Sequence, residues 1–184
     1  SARIDPIVNP GKISNHHHDV AGSIAFSPTS RRHMMRTSAS TCRLSGDFSN
    51  YWAPTIFHKD GEKTTRLSTE FKAYYFSGTS DPDNGHIDVS RFPRNLSMVV
   101  GDASGNTTFG DPSFSNIRFA CAGTYGTEIY PNGFPADAYC PGGLRISFLF
   151  PSCWNGKEYQ PDQSHLAYPV EGFQTDTKGT CPKT

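Results

Sequence analysis

Three consecutive histidines, His16, His17 and His18, followed by Asp19, are the residues whose types and spacing are best suited to chemistry. Imidazole, with an ordinary pKa of about 6.5, exchanges protons near neutrality and in its neutral form ligates metals. In an extended segment His16 and His18 project to one side and His17 to the other. An imidazole pair on one face can offer two ligands to one metal, or an acid and a base to one substrate. Two ligands leave a metal site incomplete, so a third must come from elsewhere. His165, in Ser164-His165-Leu166-Ala167-Tyr168-Pro169, is the first candidate. His16, His18 and His165 are therefore expected either as ligands for zinc or copper or as catalytic groups, with Asp102 or Asp19 orienting a ring. The competing reading is of loop histidines that make hydrogen bonds and do no chemistry.

Other chemistries lack their residues. The chain has no G-x-S-x-G elbow, no P-loop and no dinucleotide-binding glycine pattern. Glycoside hydrolysis needs two carboxylates at a set separation, and nothing in the sequence pairs Asp47, Asp102, Glu128, Asp137 and Glu158. Aromatic rings match the C–H faces of sugars, so Tyr51, Trp52, Tyr74, Tyr75, Tyr125, Tyr130 and Trp154 are of a type to stack on them. Core or loop packing is the commoner use of such residues; Tyr51, Trp52 and Tyr168 are the candidate substrate contacts. Trp154 follows Cys153 and is expected to pack beside a disulfide.

Short strands must position these residues. Leu144, Ile146, Phe148 and Phe150 alternate along one face, and Ile117-Arg118-Phe119-Ala120-Cys121 alternates in the same way. Residues 72–76 and 96–100 are shorter apolar runs. Pro54 between Tyr51-Trp52 and Thr55-Ile56-Phe57 suggests an edge strand or bulge. Turn clusters lie at Ser80–Gly85, Pro131–Gly133 and Pro141–Gly143. Helical promise is confined to Arg31–Arg36, one or two turns. The pattern predicts an all-β chain, an antiparallel sandwich or barrel-like core with long loops, forming a single domain over residues 1–184.

Seventeen Lys and Arg balance seventeen Asp and Glu, so the basic excess of a nucleic-acid binder is missing. No apolar run approaches the roughly 18 residues of a membrane helix. The five cysteines form no C-x-x-C pair, which disfavours a zinc ribbon or redox motif. They read instead as disulfides of a secreted chain, with Cys121–Cys140 and Cys153–Cys181 closing short loops and Cys42 left over. Two sequons, at Asn95 and Asn106, are candidate glycosylation sites in that compartment.

Ordered motifs run along most of the chain. They are Ala2 through Gly11, Ser14, His16-x-His18, Gly22-Ser23, Thr41-Cys42 and Asp47-x-Ser49-x-Tyr51-Trp52-x-Pro54. Phe92-Pro93, Met98 and Gly101-Asp102 follow, then Cys140-Pro141-x-Gly143-Leu144-Arg145, Phe150 through Lys157, and Ser164-His165-x-Ala167-Tyr168-Pro169. By these residues the chain resembles the secreted family known as domain of unknown function 1996, widespread in fungi and also found in bacteria. The resemblance implies secretion, histidines shared at positions 16, 18 and 165, and a setting in cell walls or extracellular polysaccharide. Three departures stand out. The segment Glu158–Gln163 lacks the Asp-His pair usual before Ser-His-x-Ala-Tyr-Pro, Ser97 replaces the usual Arg before Met98, and relatives continue past the final Cys-Pro. An association with a missing C-terminal segment or chain is therefore expected.

The combined expectation is a secreted glycan-directed protein whose partner is extracellular polysaccharide, with neither nucleic acid nor membrane as a partner. As an enzyme it would be a hydrolase or lyase using His16, His18, His165 and Asp102. A non-catalytic wall-binding or structural glycoprotein is the alternative, and an extracellular metal-binding protein the second.

Overall fold

The computed structural model describes residues 1–76, 91–101, 116–122, 129–130, 140–170 and 181–183; the side chains of residues 32, 33, 129 and 130 are outside that description. Asp102 and Asn106, and the turn clusters at 80–85 and 131–133, lie outside the described residues. The chain divides into two compact units, Ser1–Phe76 and Ser77–Thr184.

In the first unit, β1 (His18–Ala21) pairs antiparallel with β2 (Tyr51–Pro54), setting Asp19 opposite Ala53 and Val20 opposite Trp52. Pro54 ends β2, the position where a residue without an N–H costs a ladder least. Ala2 adds a bridge to His18 through two backbone hydrogen bonds of 2.9 and 2.8 Å. β3 (Phe57–Asp60) and β4 (Lys63–Arg66) form a hairpin whose two-residue turn places Gly61 at φ +57°. Left-handed φ at the first turn position matches the twist of a tight hairpin. The short helix α1 (Arg32–Thr37) falls where the sequence shows helical promise, with Arg36 complementing the negative end of its dipole.

The chain leaves β1 through Gly22, at φ +122°. Gly22 and Thr41 exchange hydrogen bonds, and Ser23 N–H donates to Asn50 Oδ1 at 2.7 Å. A Cβ on Gly22 would lie 2.3 Å from the Ser49 carbonyl oxygen, so both the dihedral and the close approach require glycine.

In the second unit, β5 (Ile117–Cys121) lies between β6 (Ile129–Tyr130) and β7 (Leu144–Phe148) in an antiparallel sheet. Phe119, Ala120 and Cys121 are buried there. β8 (Cys153–Trp154) pairs with β9 (Leu166–Ala167). The disulfides are Cys121–Cys140 and Cys153–Cys181, as loop closure suggested, and Cys42 is a free thiol.

The all-β expectation therefore holds, with two exceptions in detail. Residues 72–76 form no strand; Tyr74, Tyr75 and Phe76 stay more than half exposed, and the Tyr75 hydroxyl bonds that of Tyr51. Residues 96–100 form none either, and the Ser97 carbonyl accepts a hydrogen bond from an imidazole.

Among the described residues, the buried apolar side chains are Phe119, Ala120, Cys121 and Cys153. Asp5, Ser14, His18, Asp19, Ser23, Thr55, Asn116 and His165 are buried alongside. Burying a polar group without a hydrogen bond is costly, and although Ser14 Oγ has no partner, directional contacts from His18, Asp19, Ser23, Thr55 and His165 carry much of this interior.

Candidate functional site

The histidine run forms one candidate site, in the first unit. His16, in a bend just before β1, and His18, which opens that strand, lie together, with ring centroids 4.6 Å apart and an interplanar angle of 62°. His17 turns the other way, its ring 6.4 Å from that of Phe57. His16 is exposed, whereas His18 is 3% exposed. The His18 ring donates from Nδ1 to the Ile4 carbonyl at 2.9 Å, which leaves the lone pair on Nε2. Burial, then the neighbouring His16, hold the His18 pKa below its ordinary value, with the Asp5 carboxylate pulling the other way. His18 is therefore a neutral imidazole at pH 7, able to ligate or to accept a proton.

Asp19 does not orient an imidazole. Its carboxylate accepts from Thr55 Oγ1 at 3.0 Å, Arg66 Nη2 at 2.6 Å and Thr69 Oγ1 at 2.7 Å. Burial alone would raise its pKa, but these three hydrogen bonds outweigh that and hold it below the ordinary carboxylate value. The role is structural: one buried carboxylate ties β1 to β4 and to the chain beyond it.

His165, in the second unit, is fully buried. Gln160 N–H donates to Nδ1 over 3.3 Å, and Nε2–H donates to the Ser97 carbonyl at 3.0 Å. The Tyr159 ring meets it edge-on at 5.4 Å. Both ring nitrogens are engaged in hydrogen bonds, and the ring braces residues 97 and 160 to each other.

The three aromatic residues singled out in the sequence are also turned to packing. Tyr51 donates to Asp47 Oδ2 at 2.8 Å, and burial is the first cause of a pKa pushed well above the phenol range. Trp52 packs on Phe26 with centroids 5.1 Å apart. Tyr168 donates to the Leu149 carbonyl at 2.8 Å, and burial raises its pKa to about 12.

A second candidate site, not foreseen in the sequence, is a groove of about 240 Å³ in the second unit. Pro93, Arg94, Asn95 and Leu96 form one side, and Trp154, Gly156, Lys157, Glu158 and Tyr159 the other. The His165–Ser97 hydrogen bond links the segments that carry the two sides. Trp154 is 47% exposed, its ring held by a hydrogen bond from Nε1 to the Lys157 carbonyl at 2.7 Å. Asn155 Oδ1 accepts from Lys157 N–H at 3.0 Å, Asn155 Nδ2 donates to the Ser164 carbonyl at 3.0 Å, and Gly156 takes φ +84°. The turn from Cys153 to Lys157 is thus fixed at both ends, and the indole is presented ready-made. The available signal was an aromatic residue opening an Asn-Gly turn immediately after a disulfide cysteine. Asn95, of the first sequon, stands exposed on the rim.

A family model described as domain of unknown function (DUF1996) matches residues 5–184. No curated protein and no solved structure matches the chain.

Proposed function

The chain belongs to the DUF1996 family, and from that premise we propose that it is a secreted glycan-binding protein that recognises polysaccharide through the groove faced by Trp154. The carrying observation is the indole itself, half exposed and fixed by its own N–H. A sugar ring offers an apolar C–H face and a rim of hydroxyls. The indole face matches the first, and Arg94, Asn95, Lys157 and Glu158 supply donors and acceptors for the second. Because the indole is already held, little ordering entropy is lost on binding. At about 240 Å³ the groove is smaller than a drug-sized site, which suits a short stretch of chain engaged at one ring.

Binding is favoured over hydrolysis by the lining. Among the described residues of the groove, Glu158 is the one carboxylate, so the two-carboxylate arrangement of a glycosidase has no second member there. Two disulfides support an oxidising, extracellular setting. No helix among the described residues is long and apolar enough to cross a membrane.

The test is retention of the purified chain on insoluble glucan, chitin and mannan, with reducing-end and unsaturated-product assays on the same panel. Retention of the wild type, its loss in Trp154→Ala and no product release are expected. Absence of retention on every polymer, or retention unchanged in Trp154→Ala, overturns the reading. Product release would favour the hydrolase or lyase alternative.

A further inference from the structure

We propose that His16 and His18 form a two-imidazole binding site for a divalent transition metal, with copper(II) preferred over zinc.

The first observation is how His18 is held. Its ring is almost wholly buried, and Nδ1–H is donated to the Ile4 carbonyl. That bond fixes the tautomer and the ring plane, and Nε2 has no hydrogen-bond partner among the described residues. A backbone carbonyl on one nitrogen, with the other left open, is how proteins orient metal-ligating histidines. The segment behind it is rigid, because the His18 backbone pairs with Ala2 on one side and lies opposite Pro54 on the other.

The second observation is the spacing. A ligating nitrogen lies about 2.0 Å from its metal, which puts the ring centroid about 3.2 Å away. Two centroids 4.6 Å apart fall within twice that radius, so the two rings are near enough to share one ion. The copper preference rests on the higher intrinsic affinity of copper(II) for nitrogen ligands.

The Asp5 carboxylate, 6% exposed, stands outside the ligand set, since its Oδ1 accepts from the N–H groups of Ile7 and Val8. Among the described residues no group of three His, Cys, Asp or Glu side chains is placed to hold a metal. The described residues supply two corners, and water or a hydroxyl-bearing ligand can take the others. The site stands independently of the Trp154 groove, and the two can fail separately.

The test is titration of the full chain with copper(II) chloride at pH 7.5. Binding is followed by calorimetry and by nitrogen hyperfine structure in the copper electron paramagnetic resonance spectrum, and the titration is repeated with zinc chloride. One copper per chain with two imidazole nitrogens is expected, bound more tightly than zinc. His16→Ala, at an exposed position that leaves the fold intact, should weaken copper by about tenfold or more, within the range seen on disturbing metal-site residues. His18→Gln should do the same, and His17→Ala should not. Four results overturn the proposal: no copper binding, zinc bound as tightly as copper, a loss below tenfold in His16→Ala, or an equal loss in His17→Ala. Polymer retention by His16→Ala, measured in parallel, should equal that of the wild type.

Discussion

Replacing Asp19 by alanine removes the acceptor for Thr55, Arg66 and Thr69 in one step. Hydrogen bonds to a charged group contribute about 1.5–3 kcal/mol each. They do not simply add here. Thr69 is exposed and the Arg66 side chain is 48% exposed, so both recover water in the variant. Thr55 is buried and does not, and the side-chain volume of Asp19 becomes a void beside it. The net cost is about 3 kcal/mol for Asp19→Ala. It is about 1–2 kcal/mol for Asp19→Asn, which keeps the shape and one acceptor. Arg66→Met leaves a buried carboxylate with two hydroxyl donors, and falls between the two.

The molecule supplies its own reporters for this experiment. Of its two tryptophans, Trp52 belongs to the first unit and Trp154 to the second. In a Trp154→Phe background, Trp52 emission follows the β1–β2 pair directly, because Trp52 lies opposite Val20, next to Asp19. With a urea slope of roughly 1.5 kcal/mol per molar, 3 kcal/mol moves the midpoint by about 2 M. The gap between wild type and variant should also close in acid. Asp19 is held below the ordinary carboxylate value, so its contribution is present above about pH 3.9 and is lost as pH falls through the folded-state value. A midpoint shift below about 0.3 M at an unchanged slope would refute the role assigned to this carboxylate.

His18 gives a second limb of the same sign, at higher pH. Its folded-state pKa is lowered, so stability is full above about 6.5 and falls as pH drops toward the folded-state value, because the unfolded chain takes the proton first. Melting temperature should decline over that limb in the wild type and flatten in His18→Gln. Gly22→Ala should cost about 3 kcal/mol or more from the dihedral and the clash together, while Gly46→Ala, with open space around it, should fall within about 0.5 kcal/mol of wild type, both read by urea unfolding. Removing Cys153–Cys181, which spans 28 residues, should cost about 3–4 kcal/mol by loop entropy, slightly more than removing Cys121–Cys140, which spans 19. Urea unfolding of the Cys153→Ala/Cys181→Ala and Cys121→Ala/Cys140→Ala variants, followed by Trp154 emission, measures both costs.

What the sequence revealed was what is local. Alternation located β5 and β7, loop closure paired four cysteines, and the H-x-H spacing brought the rings of His16 and His18 together. The roles of Asp19 and His165 depend on partners far along the chain. Asp19 meets Thr55, Arg66 and Thr69 at separations of 36 to 50 residues, and His165 meets Ser97 across 68. Nothing in a residue's neighbours announces that it will be consumed as a brace. The groove was hidden for the same reason, since its two sides come from segments some sixty residues apart. Residues 72–76 and 96–100 show the converse, because apolar composition suggests a strand but only a pairing partner makes one.

An interior held by carboxylate, imidazole and hydroxyl contacts has a thermal consequence. The heat-capacity rise on denaturation comes from hydrating hydrocarbon and is diminished by hydrating polar surface. With so few hydrocarbon side chains enclosed among the described residues, that rise should fall below the usual 12–15 cal/mol/K per residue. A smaller rise broadens the curve of free energy against temperature, so the chain should lose little of its stability near freezing.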